Sequence, residues 1–402
     1  MKKRLALVVN SLSGGGAERT VSNLSRGLAE RYDVDIVVND EEHIDYPYEG
    51  QIISLKMPST KARTSTAYQI KALVKRTRLL KKLKKERNYA AVVSFSELTN
   101  LSNVLSRTEN TKTILSVRNS VRNSSASSWK YLFIVNIVFP FCFKKADKTV
   151  ACSKEIADEL VQNCGLEKKK SYVIYNGLDL LEIKENLSKP LNEPICRENE
   201  KLIVTVGRLA KQKGQWHLIR VIKKLKEEGL PVKLIIVGEG SLQKELEKLV
   251  FEAGLKDAVV FSGFVKNPHQ YMATADVVVF PSLYEGFSNT IAEALACGAP
   301  VISTDHETGA REILAPETDY RAKVHDRIEE AQYGLLVPVC DGIFRRADEP
   351  LTEEEQLMAD AIRRMVTDSK WNEHYREAAP KRAEQLAIQT IAEEWIRVIE
   401  NG

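Results

Sequence analysis

The chain has 402 residues, 43% hydrophobic and 28% charged, the composition of an ordinary globular protein long enough for two separate cores. Its six cysteines, at positions 142, 152, 164, 196, 297 and 340, form no C-x-x-C pair and no paired spacing that would suggest a zinc site or a disulfide framework, and they read as reduced, mostly structural thiols. The net charge of +4 hides an asymmetry: residues 1–151 carry 26 Lys and Arg against 13 Asp and Glu, and the remainder 33 against 42, so the front half is expected to meet something anionic.

Met1-Lys2-Lys3-Arg4 is a basic start of the kind a signal peptide has, but the apolar run Leu5–Val9 is too short and no cleavage site follows, so it reads as a buried first strand. The chain is therefore expected to be made and kept in the cytoplasm. Directly after this strand, Gly14-Gly15-Gly16-Ala17-Glu18-Arg19 opens a helix. Its glycines let backbone approach a ligand, and a helix start favours an anion. Arg19 stands where a dinucleotide fingerprint needs its third glycine, although Asp40 lies about where a ribose-binding acid would be and keeps an oxidoreductase reading open. A plain strand-to-helix turn is the alternative.

Further strands are predicted near 34–38, 52–55, 91–95, 113–117 and 149–151, mostly separated by helical patterns, the signature of a parallel sheet covered by helices. Between Tyr68 and Tyr89, nine basic residues face one acid, Glu86, on a helical pattern; such a helix suits an anionic membrane surface or is simply solvated. The stretch from Trp129 through Lys145 is aromatic, apolar and flanked by cations, as interfacial segments and core helices both are. Asn136 and Pro140 interrupt its apolar run, which is too short to span a bilayer. Nucleic acid could meet the basic helix, but no nucleic-acid module is recognisable and the sharper motifs lie elsewhere.

The aperiodic, Pro-containing segment 182–200 is the expected linker. Beyond it, strands near 202–206, 233–237, 259–261, 277–280, 301–303 and 335–337 predict a second doubly wound domain, and the last 50 residues read as helical, ending in an amphipathic stretch near 379–399. In Gly207-Arg208-Leu209-Ala210-Lys211-Gln212-Lys213-Gly214, Arg208 offers a planar fork and Lys213 a point charge that together could neutralise a diphosphate. The sharpest motif runs from Pro281 to Ala294. A strand enters a loop at Gly286, a helix begins near Ser288 or Asn289, and Glu285 and Glu293 lie ~12 Å apart along a helical path. One carboxylate at each end of an anion-binding helix start suits a sugar nucleotide, because carboxylates accept hydrogen bonds from sugar hydroxyls.

These motifs, with Gly298-Ala299-Pro300-Val301-Ile302-Ser303-Thr304-Asp305, resemble the retaining glycosyltransferases of family 4, which have the GT-B fold of two Rossmann-like α/β domains. The features run in the family's order and cover nearly the whole chain. The resemblance implies residues 1–185 as an acceptor- and membrane-facing domain, 186–378 as the nucleotide-sugar domain, and 379–402 as a helix crossing back to the first. It implies that Arg208 and Lys213 hold the donor diphosphate as catalytic groups and that Glu285 contacts the transferred sugar. Gly207 and backbone amides across Gly286, Phe287, Ser288 and Asn289 would lie near the phosphates, with Glu293 on the ribose, Gly263, Phe264 and Val265 against the base, and Gly15 and Gly16 opposite. No metal and no cofactor is implied.

Where many members carry a histidine after the fifth strand, this chain has Arg118 and Asn119, so the contact to sugar or acceptor is expected to differ there. The implied function is transfer of a hexose or N-acetylhexosamine from a UDP-sugar, in preference to a GDP-sugar, to a lipid-linked saccharide at the cytoplasmic membrane face. The chain would be held there peripherally by the basic helix. A nucleotide-sugar 2-epimerase on the same fold and a non-enzymatic binder of anionic polymers are the competing readings.

Overall fold

The computed structural model describes residues 2–42, 44–57, 65–120, 134–189 and 199–401. They form two compact units, Met1–Leu178 with Leu386–Gly402, and Asp179–Gln385.

The first unit is built on strands β1 (Lys3–Val8), β2 (Tyr32–Val38), β3 (Gln51–Ser54), β4 (Tyr89–Phe95), β5 (Lys112–Val117), β6 (Lys148–Ala151) and β7 (Ser171–Val173), all parallel, in the order β3-β2-β1-β4-β5-β6-β7. Helices α1 (Gly16–Leu28), α2 (Thr66–Arg87), α3 (Glu97–Leu105), α4 (Phe139–Lys145) and α5 (Lys154–Asn163) supply the crossovers. A parallel sheet is covered on both faces, so its strands are continuous apolar runs; Leu5 to Val9 are all buried.

Helix α2 does not display its nine cations alike. Arg76 is buried and donates to the side-chain oxygens of Asn10 and Asn39, at 2.9 and 2.6 Å. Lys84 is buried and donates to the backbone and side-chain oxygens of Asn103. Arg87 pairs with Asp35 at 2.8 Å. Lys71, Lys75, Arg78, Lys81, Lys82 and Lys85 are left on the exposed face with Ile70 and Val74.

In the second unit the elements run α6 (Leu180–Leu187), β8 (Lys201–Val206), α7 (Gln215–Glu227), β9 (Val232–Val237), α8 (Gln243–Glu252), β10 (Val259–Gly263), α9 (His269–Thr274) and β11 (Val277–Phe280). Then come α10 (Asn289–Ala296), β12 (Val301–Thr304), α11 (Ala310–Leu314), β13 (Glu329–Ala331), β14 (Gly334–Val337), α12 (Glu353–Thr367) and α13 (Ser369–Gln385). The order is β10-β9-β8-β11-β12-β14-β13, parallel except for the β13–β14 hairpin. Helices α7 and α12 are tied by a buried cluster in which Glu355 accepts from His217 at 2.7 Å and from Arg220 at 2.9 and 3.1 Å.

The last helix, α14 (Ile388–Glu400), buries Ile391, Ala392, Trp395, Val398 and Ile399 in the core of the first unit. Two strands and one helix escape the sequence reading. Ser-Tyr-Val of β7 and Glu-Glu-Ala of β13 are three residues each and are defined by the neighbour they pair with. Helix α6 occupies the start of the expected linker because Asp179 caps it, its carboxylate accepting from the Glu182 amide at 3.0 Å. Residues 190–198 of that segment, like Trp129 to Phe133, lie outside the described residues.

Candidate active site

In the second sheet the chain winds outward from β8 through β9 to β10 and, in the other direction, from β11 to β12. The carboxyl ends of β8 and β11 therefore flank the switch point, where open α/β sheets place ligands. Both charged motifs leave the sheet there.

After β8 the chain passes Gly207 and Arg208, makes one 3-10 turn at Lys211–Lys213, and enters α7 through Gly214. After β11 it runs from Pro281 to Ser288 and enters α10. The two loops are joined by the Leu283 amide donating to the Gln212 carbonyl at 2.8 Å. Gly214 has φ +61°, and a Cβ there would stand 2.3 Å from the Pro281 carbonyl oxygen. Only glycine permits both the left-handed turn and this approach.

Glu285 is the centre of the site. Its Oε1 accepts from Lys213 Nζ at 2.5 Å and from Ser282 Oγ at 3.0 Å, and its Oε2 from Gln212 Nε2 at 3.0 Å. The lysine and glutamate side chains are 16% and 9% exposed, so solvent screens the pair little. The stem of Lys213 runs past Gly207, where a Cβ would lie 3.1 Å from Lys213 Cε. Arg208 is exposed; its carbonyl accepts from Gln215 Nε2 at 3.0 Å, while its side chain makes no hydrogen bond or ion pair among the described residues, leaving the guanidinium available to an incoming anion.

Beyond Glu285 the loop is braced from β12. The Thr308 hydroxyl donates to the Glu285 carbonyl, and Gly309, at φ +88°, lies under the backbone of Gly286 to Ser288, where a Cβ would meet Phe287 Cα at 3.1 Å. The loop carrying both is anchored by Arg311, which pairs with buried Asp305 at 2.6 Å and with Glu329 at 2.8 Å. These acids hold the Arg311 guanidinium above its ordinary pKa, and Arg311 lowers that of Glu329. Gly286, Phe287 and Ser288 are buried, Asn289 begins α10, and Glu293 stands half-buried in its second turn.

At the end of β10, the Phe264 amide donates to Glu239 Oε1 at 3.1 Å while the residue stays 73% exposed; Gly263 and Val265 flank it, half-buried. The structure thus brings Lys213 and Glu285 into direct contact, with Arg208 and the start of α10 on the adjoining loops. Gln212, Ser282 and Thr308 are additions to the sequence reading. The first two lie inside motifs it quoted, but spacing does not say which polar neighbour turns inward.

In the first unit, Gly15 is the extended cap residue of α1, and the Glu18 carboxylate folds back on it, 2.1 Å from where a Gly15 Cβ would be. Gly16 begins the helix, and Arg19 lies over the Tyr46 ring. Arg118, just past β5, donates to Asn176 Oδ1 at 2.9 Å and lies over the rings of Phe95 and Trp395, at 5.4 and 5.9 Å. Its Nε and Nη2 have no hydrogen-bond partner, and burial pulls its pKa down. Arg118 and Asn119 line a pocket with Ser96, Glu97, Asn100 and Ala17.

Residues 14–181 match the family model "Glycosyltransferase Family 4", and residues 191–331 match "Glycosyl transferases group 1". Over 406 residues, covering 99% of both chains, the sequence is 31% identical to the Campylobacter jejuni N-acetylgalactosamine-N,N'-diacetylbacillosaminyl-diphospho-undecaprenol 4-alpha-N-acetylgalactosaminyltransferase. The chain belongs to glycosyltransferase family 4. This glycosyltransferase is also 32% identical, over 77% of each chain, to an uncharacterized glycosyltransferase of Methanocaldococcus jannaschii. A second C. jejuni enzyme, named an alpha-1,4-N-acetyl-D-galactosaminyltransferase acting on a diphospho-undecaprenol-linked glycan, is 24% identical over 98% of each chain. Anabaena HepE, solved with UDP and glucose, superposes with a TM-score of 0.70 at 18% identity over the full length of both, which establishes the GT-B type of fold. Among the described residues no helix is long and apolar enough to cross a membrane, and no group of three or more His, Cys, Asp or Glu could hold a metal ion.

Proposed function

We propose that this glycosyltransferase moves a hexose or N-acetylhexosamine from a UDP-sugar, with retention of configuration, to a lipid-linked saccharide at the inner membrane face. The observation that carries the reading is the Glu285 cluster. A little-exposed carboxylate held by Lys213, Gln212 and Ser282 at the switch point, beside an unpaired Arg208 and the start of α10, supplies hydroxyl acceptors and anion donors within one loop pair. In this reading Arg208 and Lys213 bind the diphosphate and stabilise its charge as it leaves. Glu285 accepts hydrogen bonds from the sugar, Glu293 from the ribose, and the exposed Phe264 ring packs on the base. No protein nucleophile is assigned; the donor's phosphate oxygen assists acceptor deprotonation.

UDP rests on the neighbours solved with that nucleotide, and the diphospho-polyprenol acceptor on the names of the C. jejuni relatives. The unpaired nitrogens of Arg118, in a pocket with Asn119, suit an acceptor phosphate or hydroxyl. Six exposed cations with Ile70 and Val74 on α2, and exposed Ile137 and Phe141 beside Lys144 and Lys145, suit an anionic lipid surface.

The test incubates the purified chain with UDP-GalNAc, UDP-GlcNAc, UDP-glucose and GDP-mannose, with and without a diphospho-undecaprenol saccharide. The expected result is a thermal shift with UDP-sugars and acceptor-dependent release of UDP giving an α-linked product. Conversion of the UDP-sugar to its 2-epimer without acceptor would support the isomerase instead. Equal partition onto anionic and neutral vesicles would remove the membrane part alone.

A further inference from the structure

The first sheet has a second charged opening, at the amino ends of its strands. Lys112 is the first residue of β5 and Lys148 the first of β6; with Arg107, Lys144, Lys145 and Lys170 they line an open pocket of about 340 Å³. Among the described residues, Asp147 is the only acid in that lining. At ~3.3 Å per residue, β5 holds Lys112 about 17 Å from Val117, which lines the Arg118 pocket at the carboxyl ends. The two pockets are therefore separate sites.

Three of the lysines owe their place to helix ends. Lys112 Nζ donates to the carbonyls of Ile399, Glu400 and Asn401 at 2.9, 3.2 and 3.1 Å, and Lys148 Nζ to those of Val398, at 2.7 Å, and Asn401. These carbonyls close α14, and a helix end attracts cations. Lys170 does the same for α4, donating to the Lys144 and Ala146 carbonyls at 3.2 and 3.1 Å. Lys112 and Lys148 thus meet on one oxygen, that of Asn401, which sets their ammoniums within ~6 Å of each other. Burial and the charge of Lys112 hold Lys148 below its ordinary pKa.

Capping does not use up the charge. Asp147 is engaged with Arg107 at 3.3 Å and with the Thr113 amide at 2.7 Å, and Glu167 is shared between Lys169 and Lys170 at 3.0 and 3.7 Å. Setting those two acids against the six cations leaves four positive charges, and two helix ends of about half a negative charge each leave about three. Lys144 and Lys145 are exposed, and their side chains make no hydrogen bond or ion pair among the described residues, so both ammoniums are available to an anion in the opening. Phe141, also exposed, precedes them by one turn on the same face of α4.

A phosphodiester carries a single negative charge, whereas a phosphomonoester carries about 1.5–2 and a diphosphate more. An excess of about three matches the last two. We propose that this pocket is a binding site for a phosphomonoester or diphosphate group, held by Lys144 and Lys145 and drawn in by the Lys112–Lys148 pair. The recognising chemistry is the same whether a lipid, beside the exposed Phe141, or a soluble molecule carries the group. The site lies apart from Arg208 and Glu285, so it stands whether or not the transfer reaction assigned above does.

The test uses the full chain and two probes. Inorganic pyrophosphate is titrated by calorimetry, and sedimentation follows binding to phosphatidylcholine vesicles carrying phosphatidic acid or phosphatidylglycerol at matched surface charge. Wild type is compared with Lys144→Gln/Lys145→Gln, with each single variant, and with Lys226→Gln/Lys244→Gln, which removes two exposed cations from the second unit. Lys144→Gln/Lys145→Gln is expected to weaken pyrophosphate binding at least fivefold at an unchanged ligand-free melting temperature, each single variant at least twofold, and Lys226→Gln/Lys244→Gln less than twofold. Pyrophosphate held beside Arg208 contributes equally to both pairs, so the difference between them reads this pocket.

A preference for phosphatidic acid over phosphatidylglycerol that disappears in Lys144→Gln/Lys145→Gln assigns the group to a lipid; site-dependent pyrophosphate binding without that preference assigns it to a soluble phosphate. Equal weakening by the two pairs, or a wild-type chain showing neither pyrophosphate binding nor the lipid preference, would overturn the proposal. If the paired variant melts lower than wild type, the single variants decide by the same criterion.

Discussion

Gly214→Ala probes the joint between the two loops that build the Glu285 site. An alanine Cβ would stand 2.3 Å from the Pro281 carbonyl oxygen, against ordinary contact at 3.4–4 Å, so the two backbones must part by roughly 1 Å. Overpacking of this kind costs about 1–3 kcal/mol. The left-handed φ of +61° adds about 1–2 kcal/mol for a residue with a Cβ. Loss of the Leu283-to-Gln212 hydrogen bond adds about 1 kcal/mol. The sum, about 3–6 kcal/mol, corresponds to a melting-temperature drop on the order of 6–24 °C for a unit of this size. Gly229→Ala isolates the strain: Gly229 has φ +83° but nothing within 4 Å of its Cβ position, so about 1–2 kcal/mol is the whole cost. Differential scanning calorimetry of the two variants decides the matter, and equal melting temperatures would refute the backbone-contact argument. A donor KM for Gly214→Ala that matches wild type would separately refute the dependence of the Lys213–Glu285 pair on this joint.

Two further outcomes follow from buried charges. Burial of Lys84 pulls its pKa from 10.5 down to about 7, so between those values the unfolded chain binds more protons than the folded one. Wild-type stability relative to Lys84→Met should therefore rise from pH 7 to pH 9, by up to about 1.4 kcal/mol per unit, in urea titrations; a flat difference would mean Lys84 stays charged in the fold. Glu355→Ala leaves Arg220 buried without its carboxylate and removes the reciprocal cap with Thr352, so about 3–5 kcal/mol should be lost in denaturant unfolding, against little for the exposed Glu247→Ala.

The fold is legible because a parallel sheet covered on both faces has to be encoded as unbroken Val, Ile and Leu runs, and the strands Leu5–Val8, Leu202–Val206 and Val277–Phe280 have no other use for such runs. Glu-Glu-Ala of β13 carries no such pattern, since its strand state comes from pairing with β14. The site is legible to the level of the motif. Spacing points to Glu285 and Lys213 separately, but their meeting depends on β8 and β11 being neighbours, which is a property of strand order and not of either loop.

Charge counting misleads most on α2, and the reason reaches back to the membrane question. Nine cations in one helix read as a basic face, yet Arg76, Lys84 and Arg87 point inward and donate to Asn10, Asn39, Asn103 and Asp35 of the first unit. Arg76 is held below its usual range, at about 10, by the same burial that depresses Lys84. Replacing these residues disturbs the attachment of the helix to its sheet and would change any lipid binding for an uninformative reason. Only Lys71, Lys75, Arg78, Lys81, Lys82 and Lys85 report on an anionic surface. A vesicle experiment on this helix has meaning when the reversals are confined to those six positions and the melting temperature is unchanged.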